Sequence, residues 1–437
     1  MLSIIGLLVI VTIVIMLLTG KVLPSVAMTL VPIAGALLAG FSLADIDMFF
    51  TSGFNKVIHI AVMFIFAILY FGIMQDVGLF NPIVKGVLRF AKGSVIAIAL
   101  GTIIIAAITH LDGSGASTFL ITIPLLLPIY KQLKMSPYLL VLLIGASASI
   151  MNMLPWAGPV GRVASVIDVN ATAFWHPLIL IQVLGLIFLA GLTILLAIRE
   201  NKRIASGYNI KKGLTHKENY TSENVATDVV ENIGNRKNMY WFNLILTTCL
   251  IISLVMRLVP IELSFLVAFS IALPLNFPKI EDRVKRIKAH SAGSLMMALI
   301  IISAGVFLGI LDGTGMLRAL SASIVSLLPD SILTHISLIV GVLGVPSELI
   351  LNTDAYYFAL LPLVSEIGAL YGTSPESTAY IMLVSNVAGT FISPFSPALW
   401  LAIGLAGIDI GKYIKYSFMW IWLISIFLLI CTMIFVI

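Results

Sequence analysis

Apolar runs of about 20 residues, the length that crosses a bilayer core of roughly 30 Å, recur from Leu2 to Ile437, bounded by Pro, Gly and charged residues. The pattern predicts spanning helices over 2–19, 23–41, 57–79, 136–167 and 172–198, and again over 241–258, 261–277, 291–312, 375–407 and 413–436. Two other apolar stretches, 94–130 and 331–371, are each interrupted in the middle by short polar residues, the pattern of a re-entrant hairpin that enters and leaves by one side. One long polar interruption remains. Segment 199–239 is rich in Lys, Glu, Asn and Thr and poor in aromatics, the composition of a flexible linker.

With ten crossings and two hairpins, both termini share one side and the linker lies on the other. All but four of the 25 Lys and Arg (Lys56, Arg162, Arg257 and Arg318) then fall on the linker's side. By the positive-inside rule that side is the cytoplasm and both termini are extracytoplasmic. Segments Asn81 to Lys92 and Lys279 to Lys288 read as amphipathic arms on that lipid surface. Met1 to Thr19 has no positive leader and no small-residue cleavage site, so it reads as a retained helix.

The linker separates an N-terminal transmembrane repeat, 1–198, from a C-terminal one, 240–437. Gly72 and Gly78 recur 237 residues later as Gly309 and Gly315. At an offset of 238, Pro124 matches Pro362, Ser136-Pro137 matches Ser374-Pro375, Ser147 matches Ser385 and Pro159 matches Pro397. A shared offset over this length points to duplication, and five crossings per half force the two copies to insert upside down. The expected fold is an all-α polytopic membrane protein of two inverted repeats, each with one re-entrant hairpin and one broken helix (136–167 and 375–407).

Composition narrows the function. The chain is 60% hydrophobic and 10% charged, with a mean hydropathy of +1.12, which excludes a soluble domain. Its net charge of +5 is scattered through short loops and forms no basic surface for nucleic acid. Cys249 and Cys431 sit in apolar stretches and suggest neither a disulfide framework nor a cysteine metal site. No His-Glu-x-x-His or nucleophile-base set is present, so a membrane-embedded enzyme is disfavoured.

In inverted-repeat transporters cargo binds near the midplane, where broken helices expose backbone groups. Four such breaks are predicted: Leu111 to Thr118, Pro155 to Pro159, Leu351 to Ala355 and Ser393 to Pro397. Arg162 follows the first proline break; a guanidinium at membrane depth needs an anionic partner, a substrate carboxylate or a residue such as Asp168. Asp112, Glu348 and Asp354 are the candidates for proton coupling, because burial disfavours a bare carboxylate. Asp112 and Asp354 are also possible contacts for a metal. His110, Asp76 and Asp312 suit structural or turn roles, and His59 and His335 are expected to pack in the core.

At these breaks the segments Asp112-Gly113-Ser114-Gly115, Asn152 to Pro159, Asn352 to Phe358 and Ser393 to Trp400 resemble the bacterial citrate-metal:proton symporter family. That family lies within the ion-transporter superfamily that includes the divalent anion:sodium symporters. The resemblance covers nearly the whole chain and is weakest in the linker. It implies a multi-pass symporter of the bacterial cell (inner) membrane that carries citrate as a complex with a divalent metal co-substrate, coupled to protons, without a resident cofactor and as a homodimer. Carried over by motif, the substrate contacts fall on Ser114, Ser117, Thr118, Asn152, Arg162, Asn352, Thr353, Ser385, Asn386, Thr390, Ser393 and Ser396, with Asp112 and Asp354 beside them. Where the family tends to read Asp-Gly-Asp-Gly and Thr-Pro-Arg, this chain has Asp112-Gly113-Ser114-Gly115 and Val160-Gly161-Arg162. A sodium-coupled di- or tricarboxylate symporter and an ion antiporter are the alternatives.

Overall fold

The computed structural model describes residues 1–19, 21–82, 94–206 and 237–437. Among them the regular structure is entirely helical. The first half contains α1 (Leu2–Thr19), α2 (Pro24–Leu38), α3 (Leu43–Asp76), α4 (Val95–Thr109), α5 (Gly115–Gln132), α6 (Pro137–Met151), α7 (Gly158–Ile167) and α8 (Ala171–Ala205). The second contains α9 (Lys237–Val255), α10 (Ile261–Asn276), α11 (Ile280–Gly313), α12 (Met316–Val325) and the short α13 (Asp330–Leu333), α14 (Ile336–Val342) and α15 (Gly344–Ser347). A π-helical segment (Ala355–Leu360) then leads into α16 (Leu361–Leu370), followed by α17 (Pro375–Val387), α18 (Pro397–Ala406) and α19 (Ile410–Phe435).

Local chemistry explains the boundaries. Ser136 caps α6 by accepting from the Tyr138 N–H, Ser374 caps α17 by accepting from the Ser377 N–H, and each is followed by a proline at the first helical position. There the missing N–H costs nothing, because the first turn of a helix has no carbonyl to receive it. Pro159 and Pro397 likewise open α7 and α18, so both predicted broken helices resolve into two separate helices. The π segment lies just before Pro362, whose ring excludes a normal bond to the carbonyl four residues back.

Several elements differ from their predicted bounds. The helix expected at 57–79 begins at Leu43, where Ser42 and Asp45 form a reciprocal capping box. The arm expected at 279–288 is not separate from the helix expected at 291–312: both belong to α11, with Glu281 and Asp282 favouring its first turn. No proline divides them, and Lys and Arg are good helix formers. The helix expected at 172–198 runs on to Ala205. Most of the predicted arm Asn81 to Lys92 and residues 207–236 of the predicted linker lie outside the described residues.

α3 and α11 form the central contact of the molecule. Both are 34 residues long, and they begin 237 residues apart. α10 packs on α3 as α2 packs on α11. Each hairpin leans on the other half's broken helix: α5 packs on α18, and the π segment packs on α7. Among the described residues, five helices, α3, α4 with its short 3-10 extension, α8, α11 and α19, are long and apolar enough to cross a membrane.

Candidate functional site

The first hairpin turns at His110–Asp112, a short 3-10 turn, and Gly113, whose φ of 72° suits a residue without a Cβ. Asp112 is buried and accepts from the Ser114 N–H at 2.8 Å and from the Ser117 hydroxyl. Thr118 donates to the Ser114 carbonyl and meets His110 Nδ1 at 2.8 Å, and the other ring nitrogen faces Asn152 Oδ1 at 3.4 Å. The fully buried His110 therefore ties this tip to the first broken helix. Trp156 repeats the connection, its indole N–H donating to the Leu111 carbonyl at 2.7 Å. Phe391, from the second break, packs edge-on against His110 and Phe119.

The second tip is held differently. Asn352 Oδ1 accepts from the Ala355 N–H at 2.8 Å, while its amide donates to the Leu17 carbonyl at 3.2 Å. Asp354 accepts from Arg162 Nε at 2.7 Å, and the two side chains are 13% and 10% exposed. The anionic partner of Arg162 is thus Asp354; Asp168 pairs instead with Lys56 at 3.7 Å. Nε makes the only hydrogen bond of the guanidinium among the described residues, so its two terminal nitrogens remain available.

Behind this tip Glu348 is fully buried. Its Oε1 meets the Thr353 hydroxyl at 3.4 Å, and its backbone carbonyl accepts from Ser393 at 2.7 Å. Glu348 Oε2, Asn386 Oδ1 and the Tyr357 hydroxyl are buried without a hydrogen-bond partner among the described residues. Asn386 donates to the Gly344 carbonyl, and Ser385 bonds back to its own helix. The Thr390 hydroxyl donates to the Val387 carbonyl, and Ser396 is half-buried.

The predicted residues therefore fall into two groups. His110, Asp112, Ser114, Ser117, Thr118 and Asn152 surround the first tip; Arg162, Glu348, Thr353, Asp354 and Ser393 surround the second. Ser385 and Thr390 satisfy their hydroxyls within their own helical segments. Among the described residues, no three or more His, Cys, Asp or Glu side chains gather as a metal cluster.

A profile of the citrate transporter family matches residues 1–385. The chain belongs to this family. It is 34% identical over 420 residues to the Mg(2+)/citrate complex secondary transporter of Bacillus subtilis (strain 168), covering 96% of this chain and 95% of that one. It is 32% identical, with the same coverage, to a citrate transporter of that organism. Its relatives are thus membrane transporters and not enzymes, and its several apolar helices are those of a multi-pass membrane protein. In fold it resembles the Alcanivorax borkumensis YdaH transporter, described as having an unusual topology, with a TM-score of 0.59 at 15% identity over 87% of this chain and 86% of that one. The Neisseria gonorrhoeae MtrF pump gives 0.57 at 14% identity over 89% and 83%.

Within this family member, three side chains depart from their expected roles. His59 is largely exposed and faces Glu262 at 3.2 Å, and His335 is exposed; neither is a core residue. His59 lies midway along α3 on a face turned to Glu262 in the first turn of α10, and His335 sits at the start of α14, where an imidazole reaches solvent. Asp76 ends α3 but does not serve as a cap: it pairs with His290 at 2.9 Å and Arg286 at 3.4 Å. His290 and Arg286 had no place among the predicted functional residues, because sequence position alone put them in or beside a surface arm.

Proposed function

We propose that this protein is a secondary active symporter that takes up citrate complexed with a divalent metal ion, driven by protons. The carrying observation is Arg162, a buried guanidinium that bonds Asp354 through Nε and leaves its two terminal nitrogens without a partner among the described residues. That fork matches a carboxylate of the cargo in bidentate geometry. Complexation with a metal cancels much of citrate's charge and lowers the desolvation cost of entering such a site. The cation would then arrive already bound, with Asp112 and Asp354 as possible contacts. The relative named for a Mg(2+)/citrate complex supports this cargo.

Asp112, Glu348 and Asp354 are the proton-coupling candidates at the tips. Glu348 is the best supported by geometry, since its Oε2 is buried with no donor among the described residues. The matching offsets of α3 and α11, and the exchange of partners between hairpins and broken helices, support two inverted repeats. The positive-inside bias supports extracytoplasmic termini, a cytoplasmic linker at 199–239 and residence in the bacterial cell membrane. The homodimer is carried from the family resemblance.

The test is labelled-citrate uptake into proteoliposomes across a panel of metals, with and without sodium, EDTA and a protonophore. We expect EDTA and the protonophore each to abolish accumulation, sodium to be dispensable, and Arg162→Ala to lose at least tenfold in uptake while still inserting. Uptake that survives EDTA would remove the metal complex. Uptake that needs sodium and ignores the protonophore would establish the sodium-coupled reading.

A further inference from the structure

The two ends of the α3–α11 crossing use corresponding positions and different chemistry. At one end Gly53 lies against Gly305 and Gly309 so closely that a Cβ on Gly53 would overlap the Gly305 carbonyl oxygen, and Phe49 covers Gly313. Small residues let two helix backbones approach in this way within a membrane protein. Adding 237 to Phe49 and Gly53 gives Arg286 and His290, and subtracting it from Gly309 and Gly313 gives Gly72 and Asp76. These four residues meet at the opposite end. A Cβ on Gly72 would come within 2.6 Å of the His290 ring, and Asp76 takes both His290 Nε2 and Arg286 Nη1. One end is thus a neutral glycine-phenylalanine contact. Its counterpart is a cluster of one acid, one permanent cation and one imidazole.

We propose that Asp76, Arg286 and His290 form a proton-binding site outside the two hairpin tips, and that its occupancy couples one proton to cargo movement. Asp76 and Arg286 already balance in charge, so His290 is the group whose protonation changes the net charge. A protonated ring gives Asp76 a second cation and tightens α3 against α11 at this end alone. At the opposite end the charged groups beside the glycines pair outside the α3–α11 contact, Lys56 with Asp168 and Asp312 with Arg318. The site is well placed to be felt by the cargo: α3 contacts the 3-10 turn of the first tip, and Phe71, one turn back on α3, stacks on Trp156, which holds the Leu111 carbonyl.

Among the described residues, the charged groups facing His290 are few. Asp76 faces it from α3, Arg286 stands one turn back on its own helix, and Asp112 of the first tip lies within electrostatic reach. Arg162 of α7 approaches Gly158 beside Met297, which lies two turns beyond His290 on α11. The ring is 20% exposed and Asp76 19%, enough for a proton to exchange with water while the pair keeps much of its strength.

This inference rests on the proton-symport reading, and its test separates the two. Proton and citrate entry are measured together in proteoliposomes supplied with magnesium citrate, using a trapped pH dye and labelled citrate. For His290→Gln we expect the proton-to-citrate ratio to fall by one while citrate exchange across the membrane persists. The triple variant Asp76→Gly, Arg286→Phe, His290→Gly copies the opposite end of the crossing and should behave alike; because that packing already exists in the molecule, it guards against a folding failure. In the wild-type protein, selective 15N-histidine labelling should show the His290 titration midpoint shifting when magnesium citrate binds, as linkage requires. A wild-type protein that moves no protons with citrate sinks the symport reading and this inference together. A coupled wild type whose ratio is unchanged in both variants, or a His290 midpoint indifferent to magnesium citrate, overturns this inference alone.

Discussion

The first hairpin tip satisfies its acid from within, and the second does so from the other half of the chain. Asp112 receives its hydrogen bonds from Ser114 and Ser117, two and five residues away. Asp354 depends on Arg162, 192 residues away. The first arrangement can form as soon as the hairpin does; the second exists only when the halves are assembled. The difference also bears on cargo. A carboxylate approaching Arg162 takes the terminal nitrogens that the bond from Nε to Asp354 leaves free, whereas the bonds to Asp112 come from its own tip. The second tip is therefore the one whose partner a bound anion also engages.

The most severe way to break this comparison is Asp354→Ala. It strands a buried guanidinium, and removing one partner of a buried ion pair costs about 3 kcal/mol or more. We expect a large drop in the thermal unfolding midpoint in detergent, with uptake lost. Replacing both members with apolar residues, Arg162→Met with Asp354→Leu, should recover most of the stability and none of the transport. If the double variant is as unstable as the single one, the pair is not what joins the tip to α7.

Asp112→Ala sharpens the same contrast from the other side. It frees the Ser114 N–H, but the Ser117 hydroxyl keeps the Ser114 carbonyl at 3.0 Å as an acceptor. The expected cost is about 1–2 kcal/mol, that of one lost charge-assisted bond, read as a midpoint shift clearly smaller than for Asp354→Ala. Equal shifts for the two variants would erase the distinction between a local and an assembled tip.

How much of this was legible in the chain follows the same division. The tips, the proline breaks and the Ser-Pro helix starts were readable because turn and cap chemistry is local: Gly113, Ser136 and Ser374 act on neighbours within a few residues. The choice between Asp168 and Asp354 as partner of Arg162 was not readable, since nothing local distinguishes an acid six residues away from one across the fold. The length of α11 was misjudged because a run of Lys and Arg reads as a surface arm when taken alone, and only its packing on α3 makes it the start of a long helix. The Asp76–Arg286–His290 cluster escaped for a different reason. An offset of 237 relates the residues that repeat, and this cluster sits where the two copies differ, at Gly53 against His290 and Gly313 against Asp76.

The smallest expected effect separates two roles of Asn352. Its Oδ1 accepts from the Ala355 N–H at the start of the π segment, and its amide donates to the Leu17 carbonyl of α1. Ser keeps a short side-chain acceptor that can cap the segment but has neither the amide donor nor its length. Asn352→Ser should therefore cost only about 0.5–1 kcal/mol, the net value of an ordinary hydrogen bond. Asn352→Ala loses the cap as well and should cost about 1 kcal/mol more. Thermal midpoints of the two variants, compared with Asp354→Ala, would then rank the three restraints on this tip: ion pair, cap and tether to α1. A Ser variant as damaged as the Ala variant would mean that the α1 tether outweighs the cap. The second tip would then depend on distant partners at Asn352 as well as at Asp354, in contrast to the first tip, whose acid is satisfied from within.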